Sequence, residues 1–175
     1  MPIDSTKEFK PINISVLTIS DTRTEATDKS GQILAKKIKE KGHGLTHKQI
    51  VKDDKEKIKK ILLEWCNDKN VDVVLATGGT GLTGRDTTPE ALDEIKDKDI
   101  PGFGELFRLI SYKKIGASTI QSRAMAVLAK GTYIFALPGS TGAVTDAWED
   151  ILKFQLDSRF KPCNFIELIP RLNEK

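Results

Sequence analysis

The sequence is poor in aromatic residues and carries little net charge. Aromatic side chains make up 6% of its 175 residues, and the formal net charge is +3. Its lysines are spread through segments such as 36–41 and 55–60, where interleaved acidic residues are typical of solvated helix faces. A nucleic-acid-binding protein needs a denser basic patch with aromatic residues beside it. We therefore expect no nucleic-acid partner.

A cysteine framework and a long apolar segment are also missing. Cys66 and Cys163 are the two cysteines, and neither has a second Cys or a His at metal-binding spacing. Thiols without a framework suit a reducing compartment. Residues 1–11 contain no apolar signal core, and no segment approaches the roughly 20 apolar residues that a membrane span requires. These absences predict a cytoplasmic protein that has no membrane partner.

Strand-like and helix-like segments alternate along the chain. Apolar, β-branched runs predict strands at residues 12–19, 45–51, 71–77 and 133–137. Helical spacing and small residues predict helices at residues 30–40, 53–65, 89–95, 105–111, 119–130 and about 144–151. This order predicts an α/β fold with a mostly parallel sheet and helices on both faces. We expect one domain over residues 1–175, with a short N-terminal extension and an irregular surface tail from residue 157.

Capping residues, prolines and glycines predict where the helices begin and end. Ser30 is the predicted N-cap of the first helix, and Asp53 with Glu56 resembles a capping box for the second. Pro89 suits the first turn of the third helix. Pro101, with the glycines that follow it, is expected to interrupt the chain before the fourth.

Small, acidic and hydroxyl residues follow each of the four predicted strands. Ligands of open parallel sheets bind outside the carboxyl ends of the strands, where such residues would meet. Taken singly, Asp53 and Ser140 are explained equally well as helix caps. Their joint occurrence favours a binding site formed by the following residues: Ser20, Asp21, Asp53, Asp54, Thr77, Gly78, Gly79, Thr80, Gly81, Pro138, Gly139 and Ser140.

The loop after the third strand is the most informative of these segments. Residues 79–86 have the sequence GTGLTGRD, which nearly matches the phosphate-binding pattern GxxxxGK[ST]. Arg85 replaces the lysine and Asp86 replaces the hydroxyl residue. Glycines allow backbone N–H groups to turn toward anionic oxygens. An aspartate beside phosphate requires a divalent cation between them, so Asp86 indicates Mg²⁺. The alternative is a tight turn leading into a capped helix.

Residues 77–90, TGGTGLTGRDTTPE, closely resemble the signature of the MoaB/MogA family of molybdenum cofactor biosynthesis proteins. The matching domains of gephyrin and the plant Cnx proteins share this signature. Further similarity lies in PGFGE at 101–105, in Ser122-Arg123 and in LPGS at 137–140. The ending LDSRFKPCNF at 156–165 resembles the MoaB branch in particular. The resemblance covers about residues 11–165.

This resemblance implies a three-layer molybdopterin-binding fold. It also implies a reaction in which the terminal phosphate of molybdopterin attacks the α-phosphate of ATP and pyrophosphate leaves, with Mg²⁺ as the metal. Family members form trimers, and the MoaB branch is associated with hexamers. The resemblance therefore implies a homo-oligomer that works with other molybdenum cofactor biosynthesis proteins.

The resemblance also implies roles for particular residues. The two aspartates that matter most in adenylylating members match Asp86 and Asp53, with Asp54 as a rival for the second. Glu105 matches an acidic residue expected at the pterin end. Glu90 stands where an aspartate often follows the proline. Arg85 would either neutralise the departing pyrophosphate or point away from the site.

Two functions are compatible with these features. The first is an active molybdopterin adenylyltransferase, which the retention of Asp86 favours. The second is a catalytically inactive homologue that binds molybdopterin or forms a complex in the same pathway. A generic nucleotide-binding switch protein is disfavoured, because the phosphate-loop lysine is missing.

Overall fold

A mixed sheet forms the centre of the computed structural model, which describes residues 3–174. The sheet has the strand order β2-β1-β3-β6-β5-β4. Pairings among β2, β1, β3 and β6 are parallel, whereas β5 runs antiparallel to both of its neighbours. The strands are β1 (Asn13–Ile19), β2 (Gly44–Val51), β3 (Val73–Thr77), β4 (Lys98–Asp99), β5 (Met125–Ala129) and β6 (Thr132–Leu137).

Helices cover both faces of this sheet. The α-helices are α1 (Lys29–Lys41), α2 (Lys55–Asn67), α3 (Thr88–Ile95), α4 (Pro101–Ile115), α5 (Thr141–Ala147) and α6 (Lys153–Gln155). A π-helical segment, Trp148–Leu152, joins α5 to α6, and 3₁₀ helices occupy Gly116–Gln121 and Ile166–Arg171. Within residues 3–174, no helix is both long and apolar enough to span a bilayer.

Alternation of side chains along the strands produces two apolar layers. On one face, Leu75 and Phe135 pack with residues of α1, α4 and α5. On the other face, Val74 and Ile134 pack with residues of α2 and α3. Successive strand residues point to opposite faces, so continuous apolar strands require helices on both sides. The predicted three-layer α/β/α architecture is confirmed.

The caps of the first two helices differ from the prediction. The carboxylate of Asp28, rather than the hydroxyl of Ser30, caps α1 by accepting a hydrogen bond from Gly31 N. Asp54 caps α2, because its Oδ1 accepts a hydrogen bond from Lys57 N at 2.9 Å. The predicted capping box at Asp53 is therefore wrong, and its carboxylate is available for another role. The predicted cap at Ser140 is confirmed by a hydrogen bond from Ala143 N.

Residues 119–130 do not form the predicted helix. Their first part is 3₁₀-helical, and the rest is β5, which pairs with β6 through the turn Lys130-Gly131. Ala126 and Leu128 face one apolar layer, whereas Val127 and Ala129 face the other. The alanines interpreted as helix-packing residues thus follow the two-residue period of a strand. Both turn residues have positive φ, as a two-residue hairpin requires.

Two other expectations need correction. Helix α4 begins at Pro101 instead of after the glycines, because proline is accepted in the first turn of a helix. The segment from residue 157 is not simply a surface tail, since Asp157, Ser158 and Asn164 are buried. The expectations for Met1, Pro2 and Lys175, which belong to the terminal extensions, lie outside the described residues.

Candidate functional site

A cavity of about 600 Å³ opens at the carboxyl ends of β1, β2, β3 and β6. The chain passes from β1 outward to β2 and then returns to β3 on the other side of β1, so the connections diverge at this point. Most of the residues predicted for the site line this cavity: Ser20, Asp53, Thr77, Gly78, Gly79, Thr80, Gly81, Asp86, Pro138, Gly139 and Ser140.

The backbone of the glycine loop, residues 78–81, is oriented by groups that do not line the cavity. Thr88 donates its hydroxyl to Gly78 O at 2.8 Å and its N–H to Gly79 O at 3.0 Å. Arg123 donates its backbone N–H to Thr80 O at 3.1 Å and Nε to Gly81 O at 2.7 Å. All four carbonyl oxygens of the glycine loop are therefore held from behind the cavity wall.

This arrangement leaves specific N–H groups free for a ligand. The N–H of Gly78 is already used, because it donates to Leu137 O at 2.9 Å. The N–H groups of Gly79 and Thr80 have no hydrogen-bond partner within residues 3–174, and both residues line the cavity. Neighbouring N–H groups that lack an internal acceptor form the kind of nest that binds phosphate oxygens. Within the glycine loop, the backbone segment that can bind phosphate is therefore the one around Gly79 and Thr80.

Arg123 is the main structural residue of the site to which the sequence analysis gave no role. Its guanidinium also donates to Asp86 O at 2.7 Å and forms an ion pair with Glu90. One side chain therefore connects the end of the glycine loop at Gly81, the acidic residue Asp86 and the first turn of α3. No local pattern reveals this, since Arg123 and Asp86 lie far apart in the chain.

Asp53 and Asp86 reach the cavity in different electrostatic states. Burial and the neighbouring charge of Asp21 raise the pKa of Asp53 above its ordinary value. Partial burial also acts to raise the pKa of Asp86, but hydrogen bonds from Thr83 and Gly81 lower it overall. The Thr83 backbone N–H and hydroxyl lie 2.9 Å and 2.6 Å from Asp86 Oδ2. The same cavity therefore contains one carboxyl group whose pKa is lowered, Asp86, and one whose pKa is raised, Asp53.

The donor set at this position suits a magnesium ion that is shared with phosphate. Among residues 3–174, no group of three or more His, Cys, Asp or Glu side chains is arranged to hold a metal ion. Mg²⁺ commonly binds through one or two carboxylates and completes its octahedron with water and phosphate oxygens. Asp53 and Asp86 supply hard oxygen ligands beside a phosphate-binding backbone, so the residues present fit this ion.

Four predicted site residues lie outside the cavity lining, and one of them is Asp54, whose carboxylate caps α2. Asp21 and Arg85 form an ion pair at the rim, and the Arg85 side chain is 68% exposed. This favours the outward orientation of Arg85 over contact with a departing group. Glu105 lines a separate cavity of about 450 Å³, together with Arg108 and Arg123. The structure does not bring Glu105 together with the other predicted residues.

Helix α4 and the segment that follows it close one side of the main cavity. They contribute Phe107 and Ile115 as apolar surface, and Ser111, Gln121 and Ser122 as hydrogen-bonding groups. Sequence reasoning missed these residues, because the predicted helices at 105–111 and 119–130 placed them away from the strand ends. Arg23, which follows β1, and Ser30, in the first turn of α1, also line the cavity.

We expect Asp53→Asn to raise the melting temperature by about 1–2 °C at neutral pH. The folded-state pKa of Asp53 is raised, so the folded protein binds a proton more readily than the unfolded chain between the two pKa values. Stability is therefore lost as pH rises through that interval. The gain in stability of Asp53→Asn over the wild type should be greatest above the raised pKa of Asp53 and absent below the ordinary aspartate pKa. Thermal unfolding across a pH series measures this difference.

Asp54→Asn is the matched control, because asparagine also caps helices well. It should stay within about 1 °C of the wild-type melting temperature. An Asp53→Asn protein less stable than the wild type at pH 7 would contradict the raised pKa of this carboxyl group.

The chain matches one family over most of its length. Residues 15–158 match the family described as "Probable molybdopterin binding domain". Molybdenum cofactor biosynthesis protein B of Escherichia coli K12 is 49% identical over 158 residues, which covers 90% of this chain and 93% of that protein. The protein of the same name from Bacillus cereus is 50% identical over 144 residues, covering 82% and 85% of the two chains.

Solved structures give the same result. The crystal structure of a molybdenum cofactor biosynthesis protein B superposes with a TM-score of 0.86 at 43% identity, covering 97% of this chain and 100% of the other. The tungsten cofactor synthesizing protein MoaB of Pyrococcus furiosus superposes with a TM-score of 0.74 at 36% identity, covering 82% and 91%.

Proposed function

Since the chain belongs to the family of molybdopterin-binding domains, and within it to the MoaB/MogA proteins of molybdenum cofactor biosynthesis, we propose that it adenylylates molybdopterin with ATP. The terminal phosphate oxygen of the pterin forms a bond to the α-phosphorus of ATP. The bond from that phosphorus to the β-phosphate oxygen breaks, and pyrophosphate leaves. The products are adenylyl-molybdopterin and pyrophosphate.

The observation that carries this proposal is the orientation of the glycine loop. Its carbonyl groups are held by Thr88 and Arg123, while the N–H groups of Gly79 and Thr80 remain available beside Asp53 and Asp86. A phosphate cradle and two carboxylates in one cavity suit a reaction between two phosphate-bearing substrates. The apolar and hydrogen-bonding surface from Phe107 to Ser122 suits a flat heterocycle with polar edges.

The chain's contribution to the reaction is positioning and charge compensation. A phosphate nucleophile is already ionised at neutral pH, so no strong general base is required. The N–H groups of Gly79 and Thr80 bind phosphate oxygens without reorganising during the reaction. Electrostatic catalysis is strongest when the donors are preorganised in this way. Asp53 and Asp86 would hold Mg²⁺, which supplies charge neutralisation between the two anionic substrates. The cavity orients both substrates so that their encounter is effectively intramolecular.

A binding function without catalysis is the second candidate. It is favoured by the hydrogen bonds that both the N–H and the hydroxyl of Thr83 make to Asp86. These contacts stabilise the loop, and they explain the carboxylate without a metal. In this case the protein would hold molybdopterin, or form a complex with another protein of the pathway, without consuming ATP.

One assay separates these functions. The purified protein is incubated with molybdopterin, ATP and Mg²⁺, and adenylylated pterin and pyrophosphate are quantified. We expect both products in equal amounts and no product when ATP is omitted. Tight pterin binding with no turnover would overturn the enzymatic proposal and support the binding function.

We also propose that the protein assembles into a trimer or hexamer of identical chains through an apolar face. Leu109, Tyr112 and Ile115 on α4 are 61%, 59% and 55% exposed, and Ile120 beside them is 82% exposed. Three-residue spacing places the α4 side chains along one side of the helix. Exposed apolar patches of this kind mark association surfaces. Ile115 also lines the main cavity, so the proposed interface would adjoin the site.

Leu109→Asp is expected to shift the assembly toward monomers, because a carboxylate buried at an apolar contact costs several kcal/mol and each 1.4 kcal/mol weakens association about tenfold. Analytical ultracentrifugation of the wild type and the variant measures the change. Leu168→Asp, at an exposed leucine on the C-terminal 3₁₀ helix, is the control and should sediment as the wild type does. An assembly that persists unchanged in Leu109→Asp would exclude this face.

A further inference from the structure

Arg23 lines the cavity but has no role in the function proposed above. It stands between β1 and α1, and it is the one basic residue among the described residues that line the cavity. The same lining contains two carboxylates, Asp53 and Asp86. A substrate pair that carries several phosphate groups needs compensating positive charge, and this guanidinium is the chain's own source of it in the cavity.

The guanidinium is held in a defined position. Its Nη1 donates to Ser30 Oγ at 2.5 Å, and its Nη2 donates to Gly139 O at 2.9 Å. These contacts join the loops after β1 and β6. A guanidinium has five N–H donors, so three are left after these two hydrogen bonds. An arginine fixed in this way binds an anion with little further loss of side-chain freedom.

The positive charge of Arg23 is not cancelled by a hydrogen-bonded carboxylate. Asp28 is the nearest acid, with Oδ1 at 3.7 Å from Nη1, and it is fully buried. Its carboxylate instead accepts hydrogen bonds from Gly31 N and Thr18 Oγ1, both at 2.9 Å. Asp28 still forms an ion pair with Arg23, but Lys48 Nζ lies 3.5 Å from the same carboxylate. Asp28 is therefore shared between two cations and compensates the Arg23 guanidinium only in part.

Arg23 and Asp53 lie in loops that lead to helices on different faces of the sheet. Arg23 sits beside the N-terminus of α1, whose apolar side chains pack on one face. Asp53 precedes α2, which packs on the other face. The glycine loop lies at the strand ends between them. A phosphate bound by Arg23 would therefore lie toward the α1 side of the cavity, and a metal ion held by the carboxylates would lie toward the α2 side.

We propose that Arg23 binds a phosphate group of the substrate on the α1 side of the cavity. The assignment rests on the proposed function for the identity of the substrates. Two sources have this chemistry, the phosphate monoester of the pterin and the triphosphate of ATP. Separate binding measurements for the two substrates distinguish them.

The test uses calorimetric binding of ATP and of molybdopterin to the full-length wild type, Arg23→Gln and Lys29→Gln. Lys29 is exposed and lies outside the cavity lining, so its variant removes the same charge nearby without touching the site. We expect Arg23→Gln to bind one of the two ligands about tenfold to hundredfold more weakly, as the loss of a charge-assisted hydrogen bond predicts. Lys29→Gln should stay within about twofold of the wild type for both ligands.

A purely structural role for Arg23 gives a different result. In that case Arg23→Gln would lower the melting temperature and bind both ligands like Lys29→Gln, and the proposal would be overturned. A second measurement on the wild type does not depend on the variant folding. Phenylglyoxal modification of Arg23, followed by peptide mass spectrometry, should slow when the ligand is saturating. A modification rate that is unchanged both with saturating ATP and with saturating molybdopterin would also overturn the proposal.

These outcomes separate the inference from the proposed reaction. Arg23-dependent binding without turnover supports the anion site and overturns adenylylation. Turnover with binding that is indifferent to Arg23 supports adenylylation and overturns the anion site.

Discussion

Asp86→Asn is expected to reduce the rate of pterin adenylylation by about a hundredfold to a thousandfold, which is typical for removing one preorganised electrostatic group. The asparagine oxygen can still accept the hydrogen bonds that Thr83 donates to Asp86 Oδ2. Loop geometry should therefore survive, while the negative charge that would hold Mg²⁺ is lost. Quantifying adenylylated pterin under saturating ATP gives kcat, and pterin binding is measured separately.

The comparison of kcat with pterin affinity is more informative than the size of either change alone. Pterin affinity should stay within about twofold, because the charge that is removed acts on the metal-bound phosphates and not on the heterocycle. Asp93→Asn is the control, since Asp93 is an exposed residue of α3 whose carboxylate pairs with Lys96. It should keep wild-type kcat. Equal kcat in Asp86→Asn and the wild type would exclude a catalytic role for this carboxylate.

Gly78→Ala is expected to destabilise the protein by about 3 kcal/mol or more, combining backbone strain with overpacking. Gly78 has a φ of 110°, which side chains other than that of glycine rarely tolerate. A Cβ at this position would lie 2.1 Å from Ile19 O, a backbone atom of the adjacent strand. Moving the loop away would strain the hydrogen bond from Gly78 N to Leu137 O, and moving Ile19 would disturb the pairing of β1 with β2.

Gly84 provides a matched control in the same glycine-rich segment. A Cβ added there meets nothing within 4 Å, and its φ is not positive. Gly84→Ala should therefore change stability by less than about 0.5 kcal/mol. Urea unfolding of both variants measures the difference. A Gly78→Ala protein as stable as Gly84→Ala would show that the close approach of β1 and the glycine loop is not required.

The glycine loop shows how far motif reasoning reaches. Its composition predicted a phosphate-binding backbone, and the structure places Gly79 and Thr80 in the cavity, with N–H groups that have no hydrogen-bond partner among residues 3–174. The motif did not show that the N–H of Gly78 is used by β6, or that Arg123 holds the loop from behind. Those facts depend on which distant segments pack against the loop.

Asp53 shows the reverse case, in which structure removes an ambiguity. From the sequence, helix capping explained this residue as well as a site did. The structure assigns the cap to Asp54 and places Asp53 in the cavity, where burial raises its pKa. One residue of register decides between the two roles, and local patterns do not resolve a helix boundary that finely.

The sequence by itself determined the layered α/β fold, the edge of the sheet at which the candidate site lies and the family. Apolar periodicity and strand-end residues predicted the fold and the edge of the sheet, and the resemblance of residues 77–90 to a known signature indicated the family; all of these are local signals. The tertiary structure alone decided that residues 125–129 form a strand, that Glu105 faces a different cavity, and that Arg123 and Arg23 belong to the site. A strand partner, or an arginine that spans two loops, is chosen by long-range packing, because the free energy of such contacts depends on chain segments far apart in sequence.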